Sequence, residues 1–400
     1  MAAGITTGWR AAAGLAAWIA LAAPAAATPK HLAPIPAATL ALMAAKGTRP
    51  GAPILVRTFK KESELEVWKQ DGQGRYVLLK TFPICRWSGQ LGPKTRQGDR
   101  QTPEGFYAVA PRQMNPNSAY HLSFDLGYPN AHDRALGRTG SYVMVHGTCS
   151  SAGCFAMTDR QVSEVYALAR EAFAGGQAAF QVQSYPFRMT ALNMARHRAD
   201  PNIAFWRTLK EGSDRFEATG EEPAVAVAGG RYTFAPSRDP AREALAAARL
   251  AEEQAKVAQI VADGAASVRT TYADGGQHAS FASLISRGAN VGEVSRPEAL
   301  AFAGQEIVLT PARPRRPAPP APVQVAAKDP PPVVAAPSRP VAPTAHIASP
   351  LLPPEAAWAV LGPRPGGTPA PAMLAAAIPG SAGVLPGALG ARPVRVAAGP

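Results

Sequence analysis

The chain has 400 residues, 46% of them hydrophobic, and its 41 Lys and Arg against 28 Asp and Glu give a net charge of +13. The basic residues are spread along the sequence, which carries no nucleic-acid-binding motif, so nucleic acid is not an expected partner. The sequence also carries no P-loop and no Rossmann fingerprint. No segment reaches the roughly 20 consecutive apolar residues of a transmembrane span. Three cysteines without C-x-x-C spacing argue against a structural zinc site.

Residues 1–27 have the pattern of a secretory signal peptide. Arg10 is the single basic residue, an apolar run follows over residues 11–23, and three alanines at 25–27 supply an A-x-A cleavage site. An uncleaved alanine-rich helix is the alternative interpretation. The pattern predicts a periplasmic or otherwise exported protein in an oxidising compartment, where its basic charge suits an anionic envelope polymer.

Short alternating runs predict strands in the next part of the chain. "ILVRTFKK" from Ile54 and "LEVWKQ" from Leu65 precede the turn Asp71-Gly72, and "YVLLKTFPICRW" from Tyr76 follows it. Period-two alternation on both sides of a D-G turn is typical of a β-hairpin or meander. "TPEGFYAVAP" indicates a further turn and strand, and "SYVMVHG" a buried strand that ends at His146.

Three helices are predicted after this strand. Thr158 or Asp159 caps the first, which carries an apolar stripe and ends at Gly175-Gly176. "NIAFWRTLKEGSDRF" indicates a packing helix, and residues 242–265 a charged surface helix or short coiled coil. The folded part is expected between about Ala52 and Phe234.

Residues 312–400 form a Pro- and Ala-rich segment in which Asp329 and Glu355 are the only acids. Such a composition cannot bury enough apolar surface to offset its ordering entropy. The sequence predicts a disordered or polyproline-like tail that acts as a tether or spacer.

The segment "VHGTCSSAGC" places His146 and Cys154 eight residues apart, on a loop between a predicted strand and a predicted helix. Rigid elements on both sides of a loop are typical of catalytic sites. A neighbouring histidine or a helix N-terminus lowers a thiol pKa enough to populate the nucleophilic thiolate. Gly153 allows close approach of backbone to a substrate, and the nearby amides are candidate oxyanion donors. Spacing alone does not distinguish this site from an ordinary cysteine in an exported protein.

Several ordered blocks resemble the YkuD-type L,D-transpeptidases, and more closely their murein L,D-transpeptidase-like subgroup. Besides residues 142–159, the resemblance rests on "FPICRWSGQLGPKTRQGDRQTPEGFY" from Phe82, "SFDLGYPNAHDRALGRTG" from Ser123, "YPFRMT" from Tyr185, "FWRTLKEGSDRFEATGEEP" from Phe205 and "GRY" from Gly230. Together these blocks cover about half of the chain.

The resemblance implies an α+β fold with a mostly β catalytic domain at 52–187 and a helical and strand extension at 188–235 that packs on it. The charged helix, given the bounds 240–268, is predicted by its residue pattern alone. It implies that Cys154 is the nucleophile and His146 its general base. The thiolate would attack the carbonyl of the L-centre of meso-diaminopimelate in peptidoglycan stem peptides, with the Gly153 and Cys154 amides stabilising the oxyanion. No metal or organic cofactor is expected.

Further site residues are expected with less specific roles. Arg134, beside Asp133, is a candidate to hold a stem-peptide carboxylate through its planar fork, and an Arg134–Asp133 pair that braces a loop is the alternative. Tyr120, Gly147 and Ser151 are further candidate substrate contacts.

The acceptor that resolves the thioester stays open. The broad family usually has a histidine just before the Gly-Cys pair and an Arg or Asn shortly after it, where this chain has Ala152 and Ala156. The subgroup shares this departure and includes enzymes that cross-link and enzymes that hydrolyse, the latter detaching lipoprotein from diaminopimelate. A wall-linked lipoprotein is therefore a candidate partner. A non-catalytic wall-binding scaffold is the alternative from a different class, but it has no need of the intact pair.

The resemblance also bears on the cysteines. With Cys154 assigned as the nucleophile, it implies a Cys85–Cys149 disulfide, since both residues lie in or beside resembling blocks and this pairing leaves Cys154 free. Three free thiols, with Cys85 and Cys149 buried, are the alternative.

Overall fold

The computed structural model describes residues 28–287 and 304–311, together with Met1 and Gly4. All of them lie in the compact unit Met1–Ala321; the second unit, Pro322–Pro400, lies outside the described residues. The predicted signal peptide, apart from those two residues, and the predicted tail at 312–400 also lie outside them. In the described part of the chain, no helix combines the length and the apolarity that crossing a membrane requires.

The described chain contains fourteen strands and seven α-helices. The strands are β1 (Ile54–Phe59), β2 (Glu64–Gln70), β3 (Tyr76–Pro83), β4 (Arg86–Trp87), β5 (Gly105–Val109), β6 (Met114–Asn115), β7 (Ser123–Asp125), β8 (Met144–His146), β9 (Phe155–Ala156), β10 (Phe180–Tyr185), β11 (Val225–Ala228), β12 (Arg231–Phe234), β13 (Ser267–Thr271) and β14 (Gln305–Thr310). The α-helices are α1 (Ala37–Ala45), α2 (Ala131–Ala135), α3 (Asp159–Ala174), α4 (Ala191–Arg196), α5 (Ile203–Thr219), α6 (Pro240–Ala262) and α7 (Ala279–Ser286). The mixed content confirms the predicted α+β class.

The first sheet has the strand order β3-β2-β1-β10-β5. Its neighbours pair antiparallel except β1 and β10, which run parallel. At the turn between β2 and β3, the Asp71 carboxylate accepts hydrogen bonds from the backbone N–H groups of Gln73 and Arg75, both at 2.9 Å. The hairpin predicted around Asp71-Gly72 is therefore confirmed, and its turn is closed by the aspartate side chain.

The second sheet has the order β4-β9-β8-β7-β6, and the loop that holds Gly153 and Cys154 joins two of its strands. β8 and β9 run parallel with His146 opposite Ala156, although the two strands are joined by a loop of only eight residues. Parallel neighbours usually need a much longer crossover. The loop that holds the Gly-Cys pair is therefore tightly constrained at both ends.

Both sheets and α3 share one hydrophobic core. Val56 and Val182 come from the first sheet, Phe124 and Phe155 from the second, and Val165 from α3, and all five side chains are fully buried. Burial of side chains of this size contributes about 1.5–3 kcal/mol each. This shared core fixes the position of the second sheet and of the loop that precedes α3.

The predicted helices are present. Thr158 caps α3 by accepting a hydrogen bond from the Gln161 N–H, and the helix ends before Gly175. Charged pairs join α6 to α5, with Lys210 Nζ 2.9 Å from a Glu253 carboxylate oxygen. The helix predicted at 240–268 is shorter than expected: it ends at Ala262, where Gly264 adopts a φ of 84°, and Ser267 begins a strand.

The folded part extends beyond the predicted limits of Ala52 and Phe234. At the N-terminal side, Thr39 of α1 donates a 2.5 Å hydrogen bond to the buried Glu164 of α3. At the C-terminal side, Gly276 exchanges two backbone hydrogen bonds with Trp87 of β4, at 3.0 and 3.1 Å. Both contacts join segments distant in sequence, which local patterns do not encode.

Candidate active site

Cys154 lies immediately before β9, where the register places it opposite Met144. The Met144 N–H donates a hydrogen bond to Cys154 Sγ at 3.4 Å. The Cys154 S–H donates to the Tyr142 carbonyl oxygen at 3.8 Å. These backbone groups hold the sulfur beside the beginning of β8. The residue is only partly exposed.

His146 occupies the other end of β8 and is 3% exposed. Side chains two residues apart on a strand share a face, so His146 lies on the same face of β8 as Met144, the residue whose N–H contacts the thiol. Its Nδ1 atom is 2.6 Å from the Gly147 carbonyl oxygen. A carbonyl can only accept, so Nδ1 carries the proton and Nε2 is left as a proton acceptor.

Tyr120 covers His146. The two ring centroids are 4.7 Å apart, and Tyr120 is 48% exposed. The Gly147 N–H donates to the Tyr120 carbonyl at 3.0 Å. Tyr120 thus lies beside the proposed base with an open face toward solvent, where the sequence analysis expected a substrate contact.

Burial sets the protonation states of the pair. It raises the pKa of the Cys154 thiol above its ordinary value of 9.0; the Met144 N–H and the Lys94 charge oppose the rise, and the Asp125 charge adds to it. Burial also lowers the pKa of His146 below 6.5, opposed by the Gly147 carbonyl. At neutral pH the resting pair is therefore a neutral thiol and a neutral imidazole, not the ion pair that an adjacent histidine would favour by itself.

Ser151 organises the loop around the thiol. Its Oγ atom accepts from the Gly153 and Cys154 amides at 3.3 and 3.2 Å, and it is 2.8 Å from the Cys154 carbonyl oxygen. The side chain is 1% exposed and also contacts Ser88 Oγ at 3.1 Å. Ser151 therefore supports the loop from inside. A substrate oxyanion could bind the Gly153 and Cys154 amides only by displacing the Ser151 hydroxyl from them.

The glycines are required by space and by backbone conformation. A Cβ atom at Gly147 would lie 2.6 Å from Asp159 Oδ1 and 2.9 Å from the Tyr120 carbonyl oxygen. Gly153 has a φ of 132°, which side-chain-bearing residues rarely adopt. Gly147 thus serves close packing, and Gly153 serves the turn that presents the thiol.

Backbone strain is concentrated around the same loop. Among the described residues, six residues other than glycine have a positive φ, and four of them belong to the site or adjoin it: His121, Tyr142, Thr148 and Cys149. Such conformations cost on the order of 1–3 kcal/mol each and persist where the surroundings over-determine them, often at functional sites. This clustering supports the loop as the functional centre.

Arg134 does not form the pair considered for it. Asp133 is 2.8 Å from Arg138 and caps α2 together with Asn130, whereas Arg134 is exposed and donates to the Pro129 carbonyl. The Arg134–Asp133 interpretation is therefore wrong, because the helix directs Asp133 inward and Arg134 outward. The carboxylate-binding role of Arg134 stays a prediction.

The structure pairs Cys85 with Cys149 in a disulfide, with the two Cα atoms 5.3 Å apart, and leaves Cys154 as the free cysteine. Both bridged residues are fully buried and pack with Phe281 and Leu284. The bridge ties the start of the loop to the segment before β4.

Sequence reasoning missed three groups near the thiol. The charges of Lys94 and Asp125 both act on Cys154, and Lys94 is itself held 2.5 Å from Asp99. Tyr142 supplies the carbonyl beside the sulfur and is 74% exposed. Each lies in a segment that resembles the family, but only the tertiary fold brings the two charges to the thiol. No group of three His, Cys, Asp or Glu side chains suited to hold a metal occurs within the described ranges.

Fold and site together place a cysteine and a histidine on the neighbouring strands β9 and β8, or immediately beside them, inside a mixed sheet. Residues 54–175 match the YkuD L,D-transpeptidase catalytic domain. Two curated relatives, "Putative L,D-transpeptidase YafK" from Escherichia coli K12 and from E. coli O157:H7, are each 46% identical over 182 residues, or 46% of this chain and 74% of theirs. The chain therefore belongs to the YkuD family of L,D-transpeptidases.

Two solved structures are also similar. The helical cell shape determining protein Pgp2 from Campylobacter jejuni is 17% identical, with 58% of this chain and 80% of that chain covered and a TM-score of 0.28. Bd1075 from Bdellovibrio bacteriovorus is 16% identical, with coverage of 55% and 75% and a TM-score of 0.24.

Proposed function

We propose that this protein is an exported enzyme that transfers acyl groups of peptidoglycan stem peptides through a thioester on Cys154. The observation that carries the proposal is the orientation of His146, whose Nδ1 proton is fixed on the Gly147 carbonyl at 2.6 Å. That bond leaves Nε2 available as a base, on the strand whose first residue, Met144, contacts the thiol. Family membership supplies the substrate class.

The chemistry begins with transfer of the thiol proton to His146 Nε2 as the sulfur attacks the carbonyl carbon of the L-centre of meso-diaminopimelate. The tetrahedral intermediate collapses, the C–N bond to D-Ala breaks, and the departing amine takes the proton from His146. A thioester on Cys154 remains. Because both groups rest uncharged, the proton moves only when a substrate carbonyl is in place.

Resolution of the thioester requires a second nucleophile. An amine gives a cross-link and regenerates the thiol; water gives a free carboxylate. A diaminopimelate carbonyl joined to a wall-linked lipoprotein instead of D-Ala would enter the same thioester, with the lipoprotein amine as leaving group. The Cys-His geometry serves all of these routes, so the products distinguish them.

The test uses purified protein without residues 1–27, incubated with tetrapeptide muropeptides and separately with lipoprotein-linked muropeptides. Mass spectrometry should detect an acyl adduct on the peptide that contains Cys154, followed by cross-linked or hydrolysed product. Cys154→Ala should form neither adduct nor product. His31→Ala, which removes a partly buried imidazole far from the loop in sequence, is the matched control for His146→Ala. An unmodified wild-type protein that still binds the muropeptides would indicate a scaffold and overturn the proposal.

A further inference from the structure

A cleft of about 400 Å³ lies outside the catalytic pair. It forms where the loop after β4, the turn before α5 and strand β13 meet, and its polar lining includes Gln90, Asp200, Asn202 and Arg269. Volumes of about 300–1,000 Å³ are usual for small-molecule sites. Three of these four residues lie outside the segment matched by the family, which is 54–175.

Two opposite charges in this cleft are incompletely paired. Asp200 is 7% exposed, and its Oδ1 atom accepts from the backbone and side-chain N–H groups of Asn202 at 2.9 and 3.1 Å. Its Oδ2 atom is 3.9 Å from Arg269 Nε, too far for a hydrogen bond. Arg269 Nε is buried and has no hydrogen-bond partner among the described residues. Both charged groups therefore retain capacity for a ligand.

We propose that this cleft binds an α-amino-acid group, a single carbon that carries both an ammonium and a carboxylate. The ammonium would pair with Asp200 and the carboxylate with Arg269. A ligand with a carboxylate alone would be repelled by Asp200, and a ligand with an ammonium alone by Arg269. A zwitterion pairs with both groups, its carboxylate meeting the exposed part of the Arg269 side chain, which is 43% exposed.

The cleft is connected to the nucleophile loop through one side chain. The Gln90 N–H donates to Gln101 Oε1 at 2.8 Å, and Gln101 Nε2 donates to the Gln90 carbonyl at 2.5 Å. The Gln101 carbonyl oxygen in turn lies close to Gly153, 3.6 Å from the point where a Cβ atom would stand if Gly153 were replaced by alanine. A ligand that contacts Gln90 is thus one residue away from the loop that carries Cys154.

Two sources can present this chemistry. One is a free amino acid; the other is the D-centre of a diaminopimelate residue within a wall peptide, which also carries an ammonium and a carboxylate on one carbon. The second source rests on the proposed function, whereas the first does not.

The experiment is calorimetric titration of the full chain carrying Cys154→Ala, which removes turnover. The probes are D-alanine, meso-diaminopimelate, a tetrapeptide muropeptide, and the two blocked compounds D-alaninamide and N-acetyl-D-alanine. We expect the zwitterionic probes to bind and both blocked compounds to bind at least tenfold more weakly. Saturation by D-alanine identifies a free amino acid; saturation by the muropeptide alone identifies the wall peptide.

Arg269→Gln and Asp200→Asn should each weaken binding at least tenfold. Asp200→Asn keeps an acceptor for Asn202, and an unchanged melting temperature would show that the fold is intact. Arg207→Gln, which removes an exposed charge from α5, should leave binding unchanged. The proposal is overturned if no zwitterionic probe binds, if the blocked compounds bind equally well, or if both cleft variants bind like the parent. Because turnover is measured separately in the wild-type chain, loss of this proposal and loss of the proposed acyl transfer give different results.

Discussion

Cys149 and Cys154 lie five residues apart on one loop and have opposite environments. Cys149 is bonded to Cys85, fully buried and packed against Phe281. The Cys154 thiol forms hydrogen bonds only with the backbone of Met144 and Tyr142 among the described residues, while the amide and carbonyl of Cys154 are held by Ser151. The loop is therefore anchored covalently at one end, and the thiol at its other end stays free to react without losing its position.

The end of the loop that holds Cys149 packs against residues that lie beyond 54–175, the segment that matches the YkuD catalytic domain. Residues 272–281 run along the edge of β4, where Gly276 exchanges backbone hydrogen bonds with Trp87 and the His278 N–H donates to the Ile84 carbonyl at 3.0 Å. Asp274 adds an ion pair to Arg100 at 2.9 Å. This segment covers a sheet edge that would otherwise be open to pairing with another chain.

The largest effect is expected at the free end. Cys154→Ala should abolish covalent capture of a carbapenem, the β-lactam class expected from the family resemblance to acylate this site, as followed by intact-protein mass spectrometry. His146→Ala should slow acylation by about 10²- to 10⁴-fold, the usual contribution of a positioned base. The double variant Cys85→Ala, Cys149→Ala should still be acylated. Acylation of Cys154→Ala would falsify the assignment of the nucleophile.

The anchored end should show its effect in stability. Removing the bridge with Cys85→Ala and Cys149→Ala opens a loop with a sequence separation of 64, which lowers the free energy of unfolding by about 4 kcal/mol in the chain-entropy model. Chemical denaturation measures this loss. Peptide mapping of the non-reduced wild type should find Cys154 as the single alkylatable thiol. A peptide that links Cys154 to either other cysteine in active enzyme would contradict the assignment of Cys154 as the free cysteine.

Gly275→Ala should detach the edge segment. A Cβ atom there would lie 2.0 Å from the Trp87 carbonyl oxygen, and φ is 77°, so overpacking and backbone strain together should cost about 2–3 kcal/mol. Amide hydrogen exchange should increase at Trp87 and Gly276. Gly72→Ala is the control, because a Cβ atom there meets nothing within 4 Å. Unchanged protection of the Trp87 amide in Gly275→Ala would show that the segment does not depend on this contact.

The free thiol should also show a characteristic pH dependence. Its raised pKa means that the thiolate is scarce at neutral pH, so the iodoacetamide rate should rise about tenfold per pH unit from pH 6 to pH 9. The lowered pKa of His146 keeps the imidazole neutral down to below 6.5, so kcat/KM should decline only below that pH. Fast alkylation that is independent of pH between 6 and 8 would indicate a preformed thiolate–imidazolium pair.

The smallest effect is expected from the tail. Because the composition of residues 312–400 predicts no packed core, truncation after residue 311 should leave the melting temperature and the activity on soluble muropeptides nearly unchanged. Scanning calorimetry of the full-length and the truncated chain measures the two melting temperatures. A loss of several degrees would mean that the tail packs on the folded core, contrary to its composition.

Short-range patterns in the sequence determined much of the scaffold. Alternation predicted β1, β2 and β3, the D-G pair predicted their turn, and the Thr158 cap predicted the start of α3, because each signal acts over a few neighbouring residues. The same reasoning placed His146 and Cys154 on one loop between a strand and a helix.

Only the tertiary structure decided which groups surround that loop. Parallel pairing of β8 with β9 brings the strand that carries His146 beside the strand that follows Cys154. Burial shifts the pKa values of both groups toward the neutral forms, and residues 272–281 close the edge of β4. Ser151 turned inward for the same reason. These outcomes depend on register and on contacts between segments far apart in the chain, whose free energies arise from collective burial and are not encoded in any local pattern.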